Sequence, residues 1–328
     1  MSHTSDMSES AHRFAVIGGD GRMIYLAERL AEEGFLVNLF GCGMDCLSRS
    51  EEKNGNREMH ICTTWQKAME DITALILPLP VTRDGHTVCC PRDPECIVTL
   101  EQVSEYMTHH PQVILFGGML PEMLANNMRW RTVDYYESPL LQLRNAYVTA
   151  EAALMTAMEL IDRTIRDTSF AVLGYGRIGK CLSRLLCAMG GTVTVCARRE
   201  EPLLEAATEG CHPLLITEKD SMNGLHPLCR DHTVLFNTVP ERILTRSFLL
   251  HLERDTLLID LASSPFGACD GDVRDATAQN GLRYLRAPSL PGSYAPYNAG
   301  RMIAERVLDT LASEESALDY FGKGGKNL

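Results

Sequence analysis

The residue spacing with the clearest chemistry is Gly174, Gly176 and Gly179, a G-x-G-x-x-G set. An apolar run, residues 170–173, precedes it, and Ile178, Leu182, Leu185 and Leu186 follow at helical spacing. Strand, turn and helix are the context in which this spacing holds a dinucleotide. Gly174 permits the tight turn, Gly176 lets a pyrophosphate reach the backbone, and Gly179 lets the helix pack close to the strand. Arg177 and Ile178 open the helix, whose free N–H groups and positive dipole end would face the phosphates.

The next strand, residues 192–197, ends on Arg198 and Arg199. A carboxylate at that place would bind ribose hydroxyls, whereas two guanidiniums suit a 2′-phosphate, so the pair points to NADP(H) over NAD(H). Two later strands, residues 233–237 and 256–260, run into small polar residues and proline. They add Asn237, Thr238, Pro240 and Ala262 at the edge where a nicotinamide belongs.

A second strand–turn–helix opening stands near the N-terminus: residues 13–17, then Gly18-Gly19-Asp20-Gly21-Arg22. Its glycines lack the dinucleotide spacing, and Asp20 would oppose phosphates. It suits a small substrate, with Arg22 for a carboxylate and Asp20 as a proton acceptor, or else Asp20 is an N-cap and Arg22 a surface residue. Thr82 and Gly118 follow the apolar strands 74–77 and 112–116, at strand ends where open α/β sheets bind ligands. Asn145, Thr149 and Glu151 precede a long helix, with Thr149 as its N-cap. Glu151 is either a second candidate for the proton or a first-turn carboxylate that offsets the helix dipole, and Asn145 either a substrate ligand or a turn residue.

These elements make an α/β protein of two doubly wound, Rossmann-like domains, the second a dinucleotide-binding fold. The expected divisions are a disordered tail over 1–12, a substrate-side domain over 13–147, a cofactor domain over 148–297 and a C-terminal segment over 298–328. A helix over 299–311 would return to the first domain, residues 288–298 would form an interdomain loop, and 313–328 a mobile tail. Residues 84–94 read as a hairpin or lid.

The 328 residues carry a net charge of −12, which argues against a nucleic-acid or anionic-membrane binder. No apolar run is long enough to span a bilayer, and the polar N-terminus is no secretory signal. The 12 cysteines are scattered, without paired metal-ligand spacing, so no metal site is expected and a reducing cytoplasm is.

The chain resembles the family formed by the A subunits of dipicolinate synthase, and the likeness spans residues 13–311. It rests on Val16-Ile-Gly-Gly-Asp20 with Arg22, Leu77-Pro-Leu-Pro-Val81, Asn145 with Thr149 and Glu151, and Val172 to Gly179. Asn237-Thr-Val-Pro240, Leu258 to Ser263, Ala287 to Gly292, Ala295-Pro296 and Ala299-Gly300 complete it. The resemblance implies NADP-dependent oxidation of dihydrodipicolinate, or of its hydroxylated tetrahydro precursor, to dipicolinate. It also implies a small dicarboxylate substrate and, for a partner, the flavoprotein-like B subunit of dipicolinate synthase. A homo-oligomer is expected. Three positions depart from the family pattern: Ser289 and Ala152 stand for glycines, and Tyr297 for a lysine. The alternatives are a 2-hydroxy-acid or alanine dehydrogenase and a non-catalytic NADPH sensor. The hydroxy-acid enzymes carry a Pro-His pair where this chain has Pro296-Tyr297.

Overall fold

The computed structural model describes residues 12–43, 59–216, 232–263 and 265–324, with side chains to residue 313. The expected N-terminal tail, apart from His12, and the expected loop over 51–58 lie outside the described residues.

The chain divides into two units, one of residues 1–142 with 295–328, the other of residues 143–294. The first holds β1 (Arg13–Ile17), β2 (Leu36–Phe40), β3 (Met59–Ile61), β4 (Ala74–Ile76), β5 (Ile114–Gly117) and β6 (Arg131–Asp134). Its helices are α1 (Gly21–Glu32), α2 (Trp65–Ala68), α3 (Leu100–His109) and α4 (Glu122–Ala125). The division falls inside a long helix, α5 (Pro139–Leu160). The second unit holds β7 (Ser169–Leu173), β8 (Thr192–Ala197), β9 (His212–Leu215), β10 (Val234–Asn237), β11 (Leu257–Asp260) and β12 (Arg283–Arg286). Its helices include α6 (Arg177–Ala188), α7 (Glu200–Thr208), α8 (Arg246–His251), α9 (Asp270–Asn280) and α10 (Leu290–Tyr294). The last helix, α11 (Pro296–Gly324), belongs to the first unit and packs on α1.

Both sheets are parallel and share one topology. The first runs β3-β2-β1-β4-β5-β6 and the second β9-β8-β7-β10-β11-β12. Successive strand residues point to opposite faces, and helices cover both faces. Phe14 and Val16 therefore join one core while Ala15 and Ile17 join the other. Phe170 and Val172, against Ala171 and Leu173, repeat the pattern in the second unit. This is why the central strands are continuously apolar. In each unit the chain reverses direction between the first and fourth strands, which opens a crevice at their C-terminal ends.

Local expectations are corrected in four places. The helix expected to start at Thr149 starts at Pro139, so Thr149 is interior and its hydroxyl donates to Asn145 O at 2.8 Å. Glu151 stands in mid-helix, not in a first turn. The loop expected over 288–298 contains α10 and the start of α11. The expected mobile tail is helical as far as Gly324. The divisions between the units fall at 142/143 and 294/295, beside the expected 147/148 and 297/298. Residues 82–99 form a hairpin-like loop, tied by an antiparallel bridge between Thr87 and Thr99.

Candidate functional site

The two crevices differ at their helix N-termini. In the first unit, Asp20 closes the start of α1: its carboxylate accepts from Arg22 N at 3.1 Å. The same carboxylate accepts from Arg22 Nε and Nη2, each at 2.8 Å, and Nη2 also donates to Leu79 O. Arg22 thus ties the loop after β1 to the loop after β4, and it is 5% exposed. Burial works against its charge, and Asp20 more than restores it, leaving the guanidinium pKa raised. An anion would meet a carboxylate here before it met a helix dipole. Asp20 is the N-cap, and Arg22 is a paired, buried cation, not an open carboxylate clamp or a surface residue.

In the second unit, α6 begins at the N-cap Gly176 with no side-chain cap. No N-cap side chain accepts from its first N–H groups, in contrast to Asp20 at α1. A Cβ placed on Gly176 would meet nothing within 4 Å, so the space beside the backbone is open. Gly174 has φ +93°, which glycine adopts without cost, and a Cβ there would lie 2.6 Å from Thr238 Oγ1. A Cβ on Gly179 would lie 2.2 Å from Gly174 O. Gly174 and Gly179 therefore have the turn and close-packing reasons that the spacing implies, and Gly176 leaves space beside its backbone.

A cavity of about 850 Å³ opens from this turn. Gly174, Tyr175 and Gly176 line it, and so do three arginines, Arg198 and Arg199 after β8 and Arg242 after β10. Ile216, Val239 and Ile243 supply apolar wall. Sequence reasoning misses Arg242 because it follows its strand by five residues; the available signal is the Pro240-Glu-Arg242 loop at the switch point. Ile178 packs on the core and Arg177 is exposed at the first turn of α6.

Asn237 and Ala262 lie beside Asp260, a carboxylate with 0% exposure at the end of β11. Asp260 accepts from Asn237 Nδ2 at 2.8 Å, Gly267 N at 2.8 Å, Ala262 N at 3.2 Å and Tyr284 OH at 2.8 Å. Burial pushes the Tyr284 phenol up to about 12. Thr238 Oγ1 donates to Leu173 O at 2.9 Å and locks β10 to β7; Pro240 is exposed. The network shapes the loops after β10 and β11. Sequence reasoning selects Asn237 and Ala262 as ligands and misses Asp260, the residue that holds both.

The remaining substrate candidates are divided between the two units. Thr82 donates to Asp84 Oδ1 at 3.0 Å in its own turn. Gly118 is wedged where a Cβ would meet Leu79 and Tyr135 at 2.7 Å. Asn145, Thr149 and Glu151 belong to the second unit, with Thr149 buried and Glu151 exposed. The three family departures have local accounts. Ser289 has φ +59°, the left-handed region that a glycine fills freely. Ala152 is fully buried on α5. Tyr297 packs edge-on against Tyr25 at 5.4 Å, beneath the Arg301 guanidinium.

Among the described residues, no group of three or more His, Cys, Asp or Glu side chains is placed to hold a metal ion. No helix among them is long and apolar enough to cross a membrane.

Known proteins match this arrangement along nearly the whole chain. A family model for the N-terminal domain of the dipicolinate synthase A subunit matches residues 13–138. The A subunit of dipicolinate synthase from Bacillus subtilis (strain 168) is 30% identical over 308 residues, covering 93% of this chain and 97% of that protein. The crystal structure of the corresponding Bacillus halodurans protein superposes with a TM-score of 0.74 at 26% identity, covering 92% of this chain and 98% of the other. A transhydrogenase from Sinorhizobium meliloti shares the fold, with a TM-score of 0.63 at 13% identity, covering 91% of this chain and 92% of the other.

Proposed function

The chain belongs to the dipicolinate synthase A-subunit family, and on that premise we propose that it forms dipicolinate from dihydrodipicolinate, or from the hydroxylated tetrahydro precursor, with NADP as hydride acceptor. The observation that carries the cofactor assignment is the meeting of a helix N-terminus without a side-chain cap and three arginines around one cavity. The N–H groups at the start of α6 would take the pyrophosphate, and Arg198, Arg199 and Arg242 the 2′-phosphate. Asn237, Thr238, Pro240 and Ala262 would border the nicotinamide end.

Bound there, NADP supplies the acceptor for a hydride, and the protein supplies orientation and dry surroundings. The dihydropyridine ring, reached from the hydroxylated precursor by loss of water, gives up a hydride and a proton and becomes aromatic, so the driving force lies in the ring. A strong base is unnecessary, which accords with an Arg22-paired Asp20 as the proton acceptor, directly or through water. Arg22 positions that carboxylate. Within the first unit, a substrate carboxylate would find hydrogen-bond donors near Thr82 and Gly118. The flavoprotein-like B subunit of dipicolinate synthase is the proposed partner, and the cytoplasm the proposed compartment.

The test is direct. Purified protein, alone and mixed with the proposed partner, is given NADP and dihydrodipicolinate, and cofactor reduction is followed together with formation of the aromatic product. Turnover in either mixture supports the assignment. NADPH binding without turnover in both would favour a cofactor sensor. Turnover of a 2-hydroxy acid or alanine in its place would favour the dehydrogenase alternative.

A further inference from the structure

Within the second unit, α6 meets α7 along a seam of near-constant register. Strands β7, β8 and β9 are neighbours and parallel, so right-handed crossovers set the two helices side by side on one face of the sheet. Leu182 and Leu186 of α6 share a core with Leu203 and Ala206 of α7, which fixes their separation. Along the seam Lys180 Nζ pairs with Glu205 Oε2 at 2.6 Å, and the Arg184 guanidinium pairs with the Glu209 carboxylate. The next contact is between two thiols: Cys187 Sγ lies 3.6 Å from Cys211 Sγ. The partners are 25, 25 and 24 residues apart. On α6 the three residues stand four and then three positions apart, so they share one helical face. The sulfurs are thus held in contact by the packing of two helices.

The two thiols differ in access. Cys187 is partly exposed, whereas Cys211, between α7 and β9, is 5% exposed. Burial, and then the contact with Cys187, pushes the Cys211 thiol up to about 12. An oxidant from solvent therefore meets Cys187 first. A disulfide needs the sulfurs at about 2.05 Å, a closure of about 1.5 Å that rotation of two short side chains can supply.

We propose that Cys187 and Cys211 form a reversible oxidation site, at which a peroxide converts the pair into a disulfide linking α6 to the turn before β9. The Cys187 sulfur attacks the peroxide O–O bond and keeps one oxygen as a sulfenic acid, and the other oxygen leaves as water. The Cys211 sulfur then attacks the Cys187 sulfur, the S–O bond breaks, and a second water carries away that oxygen with the thiol proton. Two thiols are oxidised and one peroxide is reduced to two waters. The bond staples the far end of the seam, and it spares Cys187 the irreversible step to sulfinic acid. The site rests on the seam alone and is independent of the cofactor assignment.

The test treats the reduced full-length protein with hydrogen peroxide at a dose that oxidises free thiols, alkylates the remaining thiols in denaturant, and maps tryptic peptides without reduction. The expected product joins residues 185–198 to residues 200–219 through Cys187 and Cys211, with Cys196 alkylated, and dithiothreitol separates them. Closing this stretch should raise the melting midpoint by about 5–10 °C. Cys187→Ser should abolish the rise. Cys211→Ser leaves Cys187 without a resolving thiol, so Cys187 should advance to a sulfinic acid that dithiothreitol does not reverse. Recovery of both cysteines as alkylated thiols overturns the proposal. So does a link from either to a different cysteine, or sulfinic acid at Cys187 of the parent as fast as in Cys211→Ser. If a serine variant misfolds, the peptide map of the parent protein decides alone.

Discussion

Arg198, which lines the cavity beside the glycine turn, places its Nη1 3.2 Å from Glu241 Oε2, with both side chains more than half exposed. The carboxylate occupies the guanidinium that the proposed 2′-phosphate would use. An exposed pair of this kind contributes little by itself, about 0–1 kcal/mol, so a dianionic phosphate can displace it. Replacing Glu241 with Gln should therefore raise NADP affinity a few-fold and leave NAD affinity unchanged. Arg198→Ala should lower NADP affinity by about ten- to a hundredfold, the worth of one charged hydrogen-bonding group. Calorimetry with both dinucleotides checks this; NAD bound as tightly as NADP by the parent protein would remove the assignment.

The glycine loop gives a contrast between two neighbours. Gly176→Ala meets open space and φ is −82°, so stability should change by less than about 1 kcal/mol while cofactor binding is lost to the methyl group. Gly179→Ala must push backbone, because the new methyl would lie 2.2 Å from Gly174 O. It should lose binding and also about 1–3 kcal/mol of stability. Thermal melts and cofactor titrations of the two variants separate the effects. Equal destabilisation by both would contradict the separate roles.

The glycine loop is legible in the sequence because strand, turn and helix lie within twenty residues and each glycine answers a local demand. The Arg198-Arg199 pair is legible for the same reason. Arg22's attachment to Leu79 O is not, because 57 residues separate them and only the neighbouring of β1 and β4 joins them. Asp260 looks like a strand-end residue, since its partners Asn237 and Tyr284 come from the flanking strands. The start of α5 is obscured by the β-branched and aromatic stretch at Tyr147-Val148-Thr149. Ser138-Pro139 is the better marker: the serine hydroxyl accepts from Leu141 N at 3.4 Å, and proline is well suited to a first helical position. The edge strands β3 and β9 are short and largely exposed, so no apolar run announces them.

Asp260 should be costly to remove. Asp260→Ala would leave Asn237 Nδ2, Tyr284 OH and the Ala262 and Gly267 amides without their acceptor in a buried site. The expected loss is about 3 kcal/mol or more in urea unfolding. Tyr284→Phe removes one donor of the four and should cost about 1 kcal/mol. A loss below that for Asp260→Ala would mean that the network does not organise these loops.

Acid should loosen the hairpin-like loop over 82–99 before it unfolds the sheets. Asp84 is held well below the usual carboxylate range, first by the Thr87 hydroxyl at 2.6 Å, then by the Thr87 and His86 amides at 2.8 Å each. A depressed folded-state pKa means that the ionised form favours the ordered loop. That contribution is complete above the unfolded-state pKa of about 4 and shrinks as pH falls below it, down to the folded-state value. Limited proteolysis with an acid-active protease, or amide exchange corrected for its intrinsic rate, should show His86 and Thr87 protected at pH 5 and progressively exposed towards pH 2. Asp84→Asn should open the loop at pH 5 and flatten the profile, while the melting of the sheets stays where it was. A loop equally ordered at both pH values in the parent protein would show that the four hydrogen bonds to this carboxylate do not hold it.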